Sequence, residues 1–328
     1  MAARNRPAAL SRRSVIIAPR DQRDTLREFI LIETPAEEPR DVESVSPLLH
    51  LGAVTPARST WLGPAWAAVC GWIASAAMVL DGSRLLVAAF LYIVVDWAWP
   101  AIWTTSVRTD WLAPIARLRD VEPLPARPVR WPEVQAGSPG DRLLTAAAHF
   151  GSWWRSIFMP MAGHSLSSGL AALLIAVALS AALGWRALAL TLAALAVSGL
   201  GTLRALRAGI DSDTLRAMVY GALPWWLGHA AFAPLSVESA SLGVLFGLAY
   251  RAVMTSGEHA PSHVGLVAPQ VIAAMALLGG DQPVAAFAVA VCIVAQIALR
   301  AFLTENDFAR RAQVWLMIAM LAGAVAVA

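Results

Sequence analysis

The 328-residue chain contains no lysine: all 25 of its basic residues are arginine. That absence excludes a Schiff-base lysine, a phosphate-loop lysine and a lysine general base, whatever the fold. Cysteine is nearly as scarce. Cys70 and Cys292 both fall inside apolar segments without metal-ligand spacing, which excludes a disulfide scaffold and marks them as small buried side chains. Charge is thin as well, with 14% charged residues and a formal net charge of +3 against 58% hydrophobic residues and a mean hydropathy of +0.60. The sequence pI of about 9.4 therefore reflects arginine, and nucleic acid is not an expected partner. A chain this apolar reads as an integral membrane protein of all-α class.

Residues 1–58 differ from the rest, holding nine arginines and eight carboxylates with Pro-Arg and Glu-Glu-Pro punctuation. They read as a cytoplasmic arm rather than a signal peptide, because the longest apolar run near the start is only Val15 to Ala18. The remainder, 59–328, contains nine apolar segments near 61–80, 84–104, 166–184, 187–203, 217–234, 238–255, 265–280, 283–302 and 313–328. With the N-terminus inside, 23 of the 25 arginines fall on the cytoplasmic side, leaving only Arg84 and Arg186 outside. The positive-inside rule thus predicts nine transmembrane helices, N-in and C-out, in a bacterial inner membrane. Trp61, Trp103, Trp153, Trp154, Trp185 and Trp315 fall near segment ends, where indoles prefer the headgroup boundary. Gly243 and Gly247 form a GxxxG pair in the sixth segment and predict close helix packing.

Two cytoplasmic connections stand out. The stretch 105–165 reads as a long, basic, Pro-rich loop carrying Asp110, Asp120, Glu122, Glu133 and Asp141, and its end, Phe150 to Met161, reads as an interfacial helix. The second, Met254 to Val264, carries Glu258, His259 and His263. No nucleophile elbow, phosphate-binding glycine loop, CxxC pair or HExxH helix is present. An odd span count and few intramembrane charges also argue against transport.

Nine spans, N-in and C-out, with their most elaborate cytoplasmic loops after the second and sixth, resemble the UbiA superfamily of intramembrane prenyltransferases. Locally, Leu203 to Gly209 followed by Gly221-Ala222-Leu223-Pro224 is similar to a basic turn and Gly-x-x-Pro region of that family, as is the run Gln296 to Asp307. The resemblance implies a UbiA-like helical bundle with a prenyl-lipid-sized cavity. It also implies two aspartate-rich motifs, at the cytoplasmic ends of spans 2 and 6, holding magnesium against a prenyl diphosphate. Here the chain departs from the family. At the first place the four-residue spacing meets Asp96, Pro100 and Thr104, and at the second Arg251, Glu258, His259 and His263 are the only ionisable residues.

These departures predict a degenerate member without paired aspartates. Asp96, Asp110 and Glu258 remain as catalytic candidates, Asp96 and Glu258 as metal candidates, and Arg204, Arg251, His259 and His263 as candidates for cofactor binding. Asp96 is either functional or paired with an arginine such as Arg108 or Arg204, since a carboxyl inside a span costs on the order of 2.5–3.5 kcal/mol on insertion scales. Arg251 is placed to snorkel to the headgroups. His229 reads as a hydrogen-bonded interior histidine, and it, His149, His164, His259 and His263 offer no matched pair for haem. The leading expectation is a non-catalytic structural or isoprenoid-binding subunit of a respiratory or photosynthetic membrane complex. Partner subunits would dock on the arm and on 105–165, with an isoprenoid lipid, quinone or pigment as ligand. The alternative is a divergent magnesium-dependent prenyltransferase acting on a quinone or pigment precursor.

Overall fold

The computed structural model describes residues 63–77, 81–120, 137–206, 212–255, 263–303 and 305–328. The chain divides into units 1–46 and 47–328, and all described residues belong to the second; the arm expected over 1–58 lies outside them. Among the described residues every regular element is helical. In chain order these are α1 (Pro64–Ala74), α2 (Gly82–Tyr92), α3 (Trp99–Arg108), α4 (Leu112–Ala116), α5 (Pro139–Trp153), α6 (Met159–Leu183) and α7 (Trp185–Leu206). Then follow α8 (Ser212–Ala217), α9 (Leu223–Ala230), α10 (Val237–Thr255), α11 (His263–Gly279), α12 (Pro283–Phe302) and α13 (Glu305–Ala326). Each of the nine apolar segments carries a helix. Four helical stretches, Gly82–Arg119, Pro139–Leu183, Trp185–Thr202 and Pro283–Phe302, are long and apolar enough to cross a membrane.

Three wide π turns join α2 to α3 (Ile93–Ala98), α5 to α6 (Trp154–Phe158) and α8 to α9 (Met218–Ala222). Their cause is written in the sequence. Pro100, Pro160 and Pro224 each stand two residues past a turn, and a proline supplies no N–H to the carbonyl four residues back while its ring crowds that carbonyl. The residue before each proline donates instead to the carbonyl five back: Trp99 to Val94, Met159 to Trp154 and Leu223 to Met218. Such turns recur at functional sites.

The stretch 105–165 is not a loop in its described parts. The second span runs on to Arg108, α4 follows almost at once, and α5 starts at Pro139. That start has a clear local signal: Ser138 accepts the Asp141 N–H at 3.2 Å, Asp141 accepts the Gly137 N–H at 2.8 Å, and Pro139 opens the first turn. The expected interfacial helix at 150–161 is instead part of one helical run from 139 to 183 through a π turn. α4 and α5 belong to a small lobe whose core is Trp153 of α5, Phe158 of the following π turn and Ala162 of α6. The Trp153 indole donates to the Pro114 carbonyl at 2.7 Å, and the His149 ring lies 3.0 Å from the Leu118 carbonyl.

The main core is built on close backbone approach. A Cβ on Gly71 would lie 1.9 Å from the Trp225 carbonyl oxygen, and one on Gly228 would lie 2.0 Å from that of Ala68, so α1 and α9 cross at two glycines. Gly247 packs on Ala222 and Gly221, and Gly243 on Trp225 and Trp226, the packing expected of the GxxxG pair. Buried polar groups then tie helices together. Gln270 of α11 and Gln296 of α12 exchange amide hydrogen bonds at 2.7 and 3.2 Å, and Ser180 of α6 meets Thr191 of α7 at 2.6 Å. Cys70 and Cys292 are free and buried, and the ring of buried His229 lies 3.0 Å from the Pro234 carbonyl.

Candidate functional site

The site grows from the end of α3. Gly169 of α6 admits Thr105, and Gly201 of α7 admits Trp103 and Val107, each at 3.0–3.1 Å from the place a Cβ would occupy. The Thr202 hydroxyl donates to the Ser106 carbonyl at 3.2 Å. These contacts fix the last two turns of α3 and so aim Thr104 and Arg108 toward α8. From α8, Asp213 and Arg216 project at helical spacing, with Tyr220 four residues further on in the π turn.

Thr104, Arg108, Asp213, Arg216 and Tyr220 line one cavity of about 140 Å³. The Arg216 guanidinium lies 5.6 Å from the centre of the Tyr220 ring, in cation–π contact. Thr104 donates its hydroxyl to the Pro100 carbonyl at 2.7 Å. Two larger cavities adjoin: about 420 Å³ against α6, lined by Thr105, Asp110 and His164, and about 500 Å³ against α4, lined by Asp110, Trp111 and Thr202. Arg108 borders all three. Two guanidiniums, with Tyr220 and the Asp213 carboxylate beside them around a small polar cavity, form a setting for an anion.

The sequence candidates scatter. Asp96 does not stand at a helix end: it occupies the first π turn, twelve residues before Arg108, or about 18 Å along a helix, so the expected Asp96–Arg108 pair is not formed. Its carboxylate instead lies beside Gly63, at the N-terminus of α1, where a Cβ would meet Oδ1 at 3.2 Å. Asp110 does reach the site, but its Oδ1 accepts the Leu112 and Ala113 N–H groups at 3.1 and 3.0 Å and caps α4. Arg251 is half-buried near the end of α10. Glu258 and His259 lie outside the described residues, as do the side chains of Arg204 and His263. Among the described residues no three His, Cys, Asp or Glu side chains gather as a metal site. Asp96 and Asp110 are too far apart to share a magnesium ion, so no step below runs through one.

Over 198 residues, 60% of this chain, the sequence is 29% identical to the bacteriochlorophyll synthase 34 kDa chain of Chloroflexus aurantiacus. This likeness agrees with the UbiA-like resemblance of the sequence. The matched stretch spans 54% of that relative, little more than half its length. No protein-family model matches the chain, and no solved structure matches it significantly.

Sequence reasoning missed Asp213, Arg216 and Tyr220 as site residues; it treated Arg216 as a topology marker and Arg108 as a topology marker or a partner for Asp96. The signal was present in the spacing Asp213, Arg216, Tyr220, one face of a helix entering span 5.

Proposed function

We propose that the UbiA-like chain acts on a prenyl lipid, holding the diphosphate end of an isoprenoid in the cavity between α3 and α8 and transferring the prenyl group to a pigment precursor. The convergence of Arg108 and Arg216 on one hydroxyl-lined cavity carries this reading. Charge-assisted hydrogen bonds from guanidiniums suit an anionic leaving group, and they stabilise charge as it develops on departure. The relative's name supports a pigment over a quinone as acceptor. In this reading nine spans cross a bacterial inner membrane, with the arm and the α4–α5 lobe on the cytoplasmic side.

One observation favours a second reading. With Asp96 and Asp110 separated and Asp110 engaged in a cap, the described carboxylates do not clasp a metal, as suits a chain that binds an isoprenoid or pigment within a larger assembly without catalysis. One preparation separates the two. Full-length protein, extracted gently from its own membrane, is assayed for transfer of a labelled C20 prenyl group to a chlorophyllide with and without magnesium, and for stoichiometric partners. Transfer that is lost in Arg216→Gln supports the enzyme, whereas a colour-bearing complex without transfer supports the subunit.

A further inference from the structure

Of the histidines whose side chains are described, two have their rings engaged: that of His149 lies 3.0 Å from the Leu118 carbonyl and that of His229 lies 3.0 Å from the Pro234 carbonyl. His164 differs. Its backbone carbonyl accepts the Ser167 hydroxyl at 2.9 Å, but its ring has no hydrogen-bond partner among the described residues. The residue is exposed and lines the cavity of about 420 Å³ against α6. Met161, Ser165 and Ser168 line it too, at the spacing that sets them with His164 on one face of α6.

From α3 the same cavity receives Thr105 and Arg108, and Arg108 also lines the small anion cavity. A molecule held beside His164 can therefore present one end to a guanidinium that borders both spaces. Asp110 lines the larger cavity as well, but its Oδ1 is engaged in the cap of α4.

An imidazole on a cavity wall is a ligand for a metal with an open coordination position. Among the described residues no three His, Cys, Asp or Glu side chains gather to build a metal site, so His164 can only complete one whose other ligands arrive with the guest. A metallated chlorin is such a guest: four ring nitrogens hold its metal in the plane and leave an axial position for one imidazole, as a single histidine serves haem. The Met161 thioether suits the flat apolar face of the ring, and the Ser165 and Ser168 hydroxyls suit its polar edge.

We propose that the cavity against α6 binds a metal-bearing chlorin carboxylic acid, with His164 as the axial ligand of the substrate's own metal and the carboxylate laid against Arg108. This rests on the pigment reading above and gives the acceptor its place beside the diphosphate. In the transfer a carboxylate oxygen bonds to C1 of the prenyl group, the bond from C1 to the diphosphate oxygen breaks, and its electron pair leaves with the diphosphate. The acid enters ionised, so no proton is left over. His164 touches the substrate but not the reacting atoms.

Removing the metal from the guest, or the imidazole from the protein, tests the site. Full-length protein in detergent is titrated with chlorophyllide and with pheophorbide, the same ring without its metal, and binding is read from the pigment absorption bands. The native protein should prefer chlorophyllide. His164→Ala should lose about tenfold or more in chlorophyllide affinity and nothing in pheophorbide affinity, and free imidazole should restore the loss. A side chain that only shaped the cavity would move both pigments alike and gain nothing from imidazole. Equal binding of the two pigments by the native protein, or an unchanged preference for chlorophyllide in His164→Ala, overturns the proposal and leaves the pigment reading standing. A native protein that binds neither pigment overturns both, and diphosphate binding by the same preparation then reports on the anion cavity alone.

Discussion

Replacing Gly71 or Gly228 by alanine places a methyl group about where a carbonyl oxygen now lies, so α1 and α9 must separate. We expect each variant to lose more than the roughly 1–3 kcal/mol typical of overpacking, read as a fall in melting temperature in detergent. Gly199→Ala, whose Cβ meets nothing within 4 Å, should be neutral or slightly stabilising. The Gln270–Gln296 pair behaves differently. Gln270→Leu leaves a buried amide unpaired and should cost about 1 kcal/mol, while the double change to leucine recovers most of it, because no orphan remains. At the opening of α2, the Ser83 hydroxyl and the Arg84 N–H hold the Asp81 carboxyl below its usual range. A lowered value in the folded state means that the cap contributes above the unfolded aspartate value of about 3.9 and is lost as pH falls through the folded one. Hydrogen exchange at 82–85 should therefore be flat from neutral pH down to that region and rise below it. Asp81→Asn, which caps without titrating, should flatten the acid rise.

Among elements, the α4–α5 lobe depends on few ties to its neighbours. Trp153→Phe keeps the ring in the small core but removes the N–H given to Pro114. The expected cost is about 1 kcal/mol, confined to the lobe: faster exchange over 112–120 with an unchanged melt of the main bundle. This lobe also shows why the sequence was read unevenly. The apolar segments and the Gly243–Gly247 pair were legible because membrane burial writes length and small residues directly into sequence. The helix starting at Pro139 was announced by Ser138 and Asp141, but proline and charge around it suggested a loop. The π turns were legible only in part. Pro100, Pro160 and Pro224 mark a missing donor, yet whether a helix kinks, ends or widens there depends on its neighbours. Their effect reached the site: Asp96 was expected at a helix end from the four-residue spacing to Pro100 and Thr104, and the widened turn with the longer helix puts it three turns short of that end.

For the molecule as a whole, long-range convergence decides function, and sequence hides it. Arg108 is separated from Arg216 and Tyr220 by about a hundred residues of chain, and glycines at 169 and 201 let the α3 that carries it lie close to α6 and α7. No local pattern records that meeting. The proposed ligand, a prenyl lipid with an anionic end, rests on the arginine-lined cavity. The most direct test is binding of a C20 prenyl diphosphate to the full-length protein in lipid nanodiscs, measured by calorimetry beside Arg108→Gln, Arg216→Gln and the double variant. The account predicts saturable binding that weakens by about tenfold in each single variant and is lost in the double. Undiminished binding in the double variant, or none in the native protein, would contradict it.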